Sequence, residues 1–227
     1  MSGERAADHR RSEVLREALG IGVATGAYAL SFGALATATG LSVLQACALS
    51  SLMFTGASQF AFIGVVGAGG APLAAAASAI LLGTRNGLYG LGISRHLGLR
   101  GPRRVAGAHL TIDESTAMAL AHEPSGLAPL GFLATGLSVL AFWNLGTLLG
   151  ALGARVLPAP ERLGLDAAIP AAFLSLLAPR LRGRGPLGVA VAGALVALAL
   201  VPVLPPGIPV IAAALVAVAA GLRGGRA

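Results

Sequence analysis

One arginine, two adjacent carboxylates and a polar pentapeptide interrupt stretches that are otherwise apolar enough for a bilayer. Arg85 stands in Leu82-Gly83-Thr84-Arg85-Asn86-Gly87, within an apolar run over residues 72–93. An arginine at bilayer depth costs several kcal/mol on any scale. Its planar fork matches a carboxylate. It can pair with an acidic side chain, contact a ligand, or snorkel toward a basic loop. The next arginine, Arg95, lies about 15 Å of helix rise away, which favours a partner at depth over snorkelling. Asp113 and Glu114 point in different directions on a helix. They suit a proton relay, or they mark a solvated interfacial turn. His109, one turn upstream of Asp113, permits a His–Asp pair or sits at the interface.

The pentapeptide is Thr55-Gly56-Ala57-Ser58-Gln59, at the centre of an apolar run over residues 44–66. Gly56 lets the backbone leave helical geometry at low steric cost. A broken helix in a membrane is tolerated only where protein or a wet cavity satisfies the freed backbone groups. Secondary transporters bind substrate at such breaks near the midplane. The alternative is one continuous span whose small residues pack on a neighbour. Asn144, beside Trp143, is either a ligand contact or a hydrogen bond between helices. Asp166 fits a helix N-cap ahead of Pro170. Tyr28, Ser31 and Phe32 either line a cavity or pack. No phosphate-binding loop appears, no metal-ligand cluster appears, and Ser58 lacks the context of a serine nucleophile.

The elements that must hold these residues are membrane helices. Of the 227 residues, 56% are hydrophobic and 11% charged, against roughly 25% charged in soluble domains. Mean hydropathy is +0.81. The net charge of +7 comes from arginine without any lysine, and the arginines stand between apolar runs. They read as topology signals rather than as a nucleic-acid surface. The single cysteine, Cys47, excludes an internal disulfide. Residues 1–17 read as a charged cytoplasmic lead-in, not a cleaved signal peptide.

An offset of 113 residues lays Gly33 on Gly146, Gly40 on Gly153, Leu52 on Leu165 and Phe60 on Phe173, and brings Ala57 beside Gly56 onto Pro170. Two short segments thus carry a helix breaker at the same place. If residues 44–66 and 165–178 are re-entrant while 106–121 crosses, the basic clusters all fall on one side, as the positive-inside rule asks. The expected fold is an all-α polytopic membrane protein. It has two inverted repeats, each with three crossings and one broken, re-entrant segment. The whole of residues 1–227 forms a single transmembrane domain, with repeat halves over about 18–122 and 127–222.

These motifs resemble the AzlC family of branched-chain amino acid permeases. The resemblance is carried by Phe32-Gly33, Gly40-Leu41-Ser42, residues 50–60 with their GASQF ending, Arg85 with Tyr89-Gly90, Thr111-Ile112-Asp113-Glu114, residues 143–147 and residues 164–173. It extends over about residues 18–180. Gly83 and Asn86 stand where the family often has asparagine and histidine. The resemblance implies a multi-pass permease of the cytoplasmic membrane. It implies export of leucine, isoleucine, valine or methionine, driven by the proton gradient, together with a small AzlD-type membrane subunit. No cofactor and no enzymatic activity are expected. Substrate binding is expected at Thr55, Gly56, Ala57, Ser58, Gln59, Phe60, Arg85, Asn144 and Pro170, and proton coupling at Asp113 and Glu114. The rival reading is a non-transporting membrane subunit that stabilises or regulates a partner.

Overall fold

The computed structural model describes residues 2–154, 174, 177–178 and 181–224. The elements named below are helices: α1 (Ser2–Ala38), α2 (Val43–Leu52), α3 (Ala57–Gly67), α4 (Pro72–Leu97), α5 (Pro102–His109), α6 (Asp113–Ala121), α7 (Ala128–Gly153), α8 (Arg184–Leu200) and α9 (Ile208–Gly224). Among the described residues, two stretches are long and apolar enough to cross a membrane, Ala7–Ala38 and Ala128–Ala154.

Local chemistry sets the ends. Ser42 and Gln45 cap α2 reciprocally, each side chain accepting the other's backbone N–H at 3.2 and 2.8 Å. Proline opens α4 and α5, where its missing N–H costs nothing. Gly98, with φ +61°, closes α4 in the left-handed region.

The helices α1 and α7 pack side by side along small residues. Gly22 lies against Ser138, Gly26 against Phe142, Gly33 against Thr147 and Ala151, and Gly150 against Leu30. Both series ascend together, so the two helices run parallel. The 113-residue offset therefore superposes helices of the same direction. This departs from the expected inverted relation between the halves.

The α2–α3 segment is a hairpin. Gly67, at the end of α3, returns to Thr39 beside the end of α1. Gln45 and Leu49 of α2 face Phe62 and Val66 of α3 across a groove. Helix α4 then runs back alongside α3, bringing Gly83 to Ser58.

Residues 106–121 do not make the expected crossing. They break at residues 110–112 into α5 and α6, and the chain returns to the end it left. There His96 of α4 meets Glu123 at 3.1 Å, and His122 meets Glu17 of α1 at 2.9 Å. This is the end that carries the basic 95–104 loop. The reason is chemical. Asp113 and Glu114 at the break favour the N-terminus of a new helix over a place inside an uninterrupted apolar span. Two hairpins thus enter from opposite ends of the molecule and meet at their breaks. The turn between α8 and α9 sits at the far end, with Pro206 against Gly70 and Gly207 against Val65 and Ala74.

Burial is inverted relative to a soluble protein. Leu44, Leu73, Leu91 and Leu198 face outward, while Ser50, Ser58, Gln59, Ser78, Ser115, Thr135 and Thr147 are buried. An apolar exterior over a partly polar interior suits a bilayer. Phe32, Phe60, Phe132, Ile63 and Ile93 fill the core.

Candidate functional site

The two breaks enclose a cavity of about 280 Å3. Its walls bring together Thr55, Gly56 and Ala57 from the first break, Ile112, Asp113 and Glu114 from the second, Arg85 from α4, Tyr28 from α1, and Val139 and Trp143 from α7. Thus α1, α4, α7 and both hairpins contribute.

Arg85 is the thirteenth residue beyond Pro72 in the 26-residue α4, about 20 Å of rise from the start of the helix. Its Nη2 donates to Asp113 Oδ2 at 2.8 Å, and its Nε has no hydrogen-bond partner. Asp113 and Glu114 occupy the first turn of α6, where the helix dipole favours negative charge. One wall therefore offers positive and negative groups a few ångströms apart, at the depth where isolated charges are costly.

The opposite wall is aromatic. Tyr28 and Trp143 have ring centroids 5.9 Å apart, and both pack on Phe60, at 5.2 and 6.5 Å. The Tyr28 hydroxyl and the Trp143 indole N–H have no hydrogen-bond partner. Buried polar atoms of this kind call for a ligand or water.

Each break is braced by one side chain. Gly56 has φ +65° and ψ −90°, and its N–H donates to Gln59 Oε1 at 3.2 Å. Gln59 Nε2 donates in turn to Leu49 O at 2.9 Å, on the other arm of the hairpin. Ser115 repeats the device in the second break. Its hydroxyl accepts from Ile112 N–H at 3.1 Å and donates to Leu110 O at 2.6 Å.

Of the residues expected to bind substrate, Thr55, Gly56, Ala57 and Arg85 line this cavity, together with the coupling candidates Asp113 and Glu114. Gln59 is fully buried inside the brace. Ser58 faces α4 on the other side of the break. Phe60 belongs to the aromatic cluster behind the wall. Asn144 accepts from the Ser51 hydroxyl at 2.6 Å and donates to Leu140 O at 2.8 Å, tying α7 to α2. His109 packs on Phe54 across a 5.8 Å centroid separation. Pro170 and Asp166 lie outside the described residues. Sequence reasoning did not single out Phe54, Thr25, Val139 or Ser115. Phe54 directly precedes the break and had a signal; Val139 is one apolar residue among many. Among the described residues, no group of three or more His, Cys, Asp or Glu could hold a metal.

Gln59→Ala is expected to act on stability first. It leaves Leu49 O and Gly56 N–H without their partner, a loss of about 1–3 kcal/mol. Gln59→Glu keeps the acceptor but cannot donate to Leu49 O, so it should also melt early. Thermal unfolding in detergent checks this. A Gln59→Ala variant with unchanged melting temperature but weakened ligand affinity would instead place the amide on the ligand.

Helices with outward leucines, two broken hairpins meeting at mid-depth, and a charged cavity between them define a membrane protein built around an internal charged cavity. The AzlC protein family model matches residues 20–157, and the chain belongs to the AzlC family. It is 36% identical over 173 residues, 75% of each chain, to a protein of Archaeoglobus fulgidus described as an uncharacterized membrane protein. No solved structure matches the chain.

Proposed function

We propose that the protein is a permease for branched-chain or similarly small apolar amino acids. The observation that carries this reading is the charged-and-apolar cavity between the breaks. A zwitterion needs both signs of charge within a few ångströms, and Arg85 and Asp113 supply them with Glu114 adjacent. The amino acid's carboxylate would take the Arg85 guanidinium and the N-terminus of α3 at Ala57. Its ammonium would take Asp113 or Glu114. The side chain would lie on Val139, Ile112 and Phe54. A cavity of about 280 Å3 fits one such molecule rather than a peptide.

Family membership supports transport as the role, and the carboxylates beside the ligand site support coupling to protons. On this reading the basic end faces the cytoplasm, the protein is a multi-pass component of the cytoplasmic membrane, and substrate moves outward with a small AzlD-type subunit alongside. The test is binding of leucine to purified protein. Asp113→Asn and Tyr28→Phe are each expected to weaken it, the first by about tenfold, equivalent to about 1.4 kcal/mol. A well-folded protein that binds no leucine, isoleucine, valine or methionine would remove the reading and favour a non-transporting subunit.

A further inference from the structure

A second cavity, of about 550 Å3, lies on the other side of the breaks. Thr55, Ser58, Thr84, Asn86, His109 and Thr111 place polar groups in its largely apolar lining. Phe54 and Thr55 line both cavities, so the first break is the partition between them. Across from Phe54 stands His109, the last residue of α5, with ring centroids 5.8 Å apart and planes tilted by 37°. One ring comes from each hairpin. The hairpins enter from opposite ends, so tilting either one would part the rings without moving the other.

The second cavity has polar groups in need of a partner. Ser58 is 1% exposed. Its hydroxyl and the Asn86 Oδ1 have no hydrogen-bond partner. The irregular backbone at residues 53–55 also borders this space. Such groups at bilayer depth require water, protein or a ligand. Among the described residues, no arginine and no carboxylate lines this cavity. It therefore suits a small molecule whose charges balance internally better than a bare ion.

We propose that the second cavity is a further station for the same zwitterionic amino acid, and that the Phe54–His109 ring pair is the gate between the two stations. This rests on the reading of the first cavity as an amino-acid site. Closed, the rings hold the ligand between Arg85 and the aromatic wall. Parted, they let it pass along Thr55 to Ser58, Asn86 and Thr84.

The test uses the full chain with Cys47→Ser as background, in proteoliposomes with radiolabelled leucine. A Phe54→Cys/His109→Cys variant, bridged by a short reducible dithiol-reactive reagent, is expected to transport leucine about tenfold more slowly. It should recover on reduction, and its leucine affinity, lowered from the wild type by loss of the Phe54 contact, should be the same bridged and reduced. Transport insensitive to the bridge would overturn the gate, as would loss of leucine binding on bridging. Failure of the unbridged background protein to bind leucine would show that the first-cavity reading itself had failed, and the gate with it. Should the double variant not fold, Thr84→Cys serves in its place, because Thr84 is exposed on this cavity. A water-soluble thiol reagent is expected to modify it, and leucine to slow that modification several-fold. A Thr84→Cys that stays unmodified, or is modified at the same rate with leucine, would overturn the second station.

Discussion

Arg85→Lys is expected to transport leucine at no more than about a tenth of the wild-type rate while reaching the membrane normally. The guanidinium donates to Asp113 through Nη2 at 2.8 Å and keeps its Nε–H without a partner. It can therefore hold Asp113 and still present a donor to a carboxylate ligand. A lysine ammonium is a compact, strongly hydrated charge on a flexible stem, and it cannot do both from one position. Arg85→Ala should be worse in a different way. It takes the Arg85 guanidinium away from Asp113 at mid-depth, and removal of one partner from a buried pair costs about 3–5 kcal/mol. Both side chains are about one quarter exposed, to the cavity they line, so the low end of that range is expected. The double variant Arg85→Ala/Asp113→Ala separates the two effects. It should regain much of the lost thermal stability and none of the transport, because neither member of the pair is left and no ligand site remains. Wild-type transport by Arg85→Lys would assign Arg85 a purely structural role.

How much of this was legible in the sequence differs from residue to residue. The break at Gly56 was legible in part, because a glycine among hydroxyls and a carboxamide permits a break in an apolar run, while a continuous span packing its small residues on a neighbour fits the same segment. The pairing of Arg85 with a carboxylate followed from the cost of a lone cation at depth. The second break was not legible. Residues 106–121 contain no proline, and the only glycine, Gly107, lies inside α5 rather than at the break. The break is made by Ser115, whose hydroxyl holds Ile112 N–H and Leu110 O, and a serine three residues after an isoleucine carries no recognisable capping pattern. Topology suffered in consequence. Crossings were assigned by placing the basic clusters on one side, and that rule took 106–121 as a crossing without any local signal of its turn. The parallel packing of α1 and α7 depends on that assignment. The brace made by Gln59 was hidden for a related reason. A carboxamide beside a break serves a ligand or the break itself, and only the position of Leu49 O on the facing arm decides between them.

Gly56→Val is expected to abolish leucine transport and binding together, with protein still inserted in the membrane. At φ +65° and ψ −90° the residue occupies backbone space that a side chain strongly disfavours, and a β-branched one most of all. Strain of this kind costs about 1–3 kcal/mol. Crowding is not the cause, since a Cβ built on Gly56 meets nothing within 4 Å. Gly56→Ala is therefore expected to be harmful as well, which distinguishes this position from a packing glycine in a continuous helix. The damage should spread along a defined chain of contacts. Gly56 O accepts from Gln59 N at 3.0 Å and Phe60 N at 3.3 Å, while Gly56 N–H donates to Gln59 Oε1. Relaxing the backbone at 56 thus turns the first turn of α3, draws Gln59 off Leu49 O, and moves Ala57 and Thr55 relative to Arg85 and Asp113. The cavity is a product of that relative placement, so the ligand site should be lost before the fold is. The measurements are leucine affinity, transport in proteoliposomes and melting temperature for the alanine and valine variants. A Gly56→Val protein with wild-type affinity and transport would show that the break does not position the site.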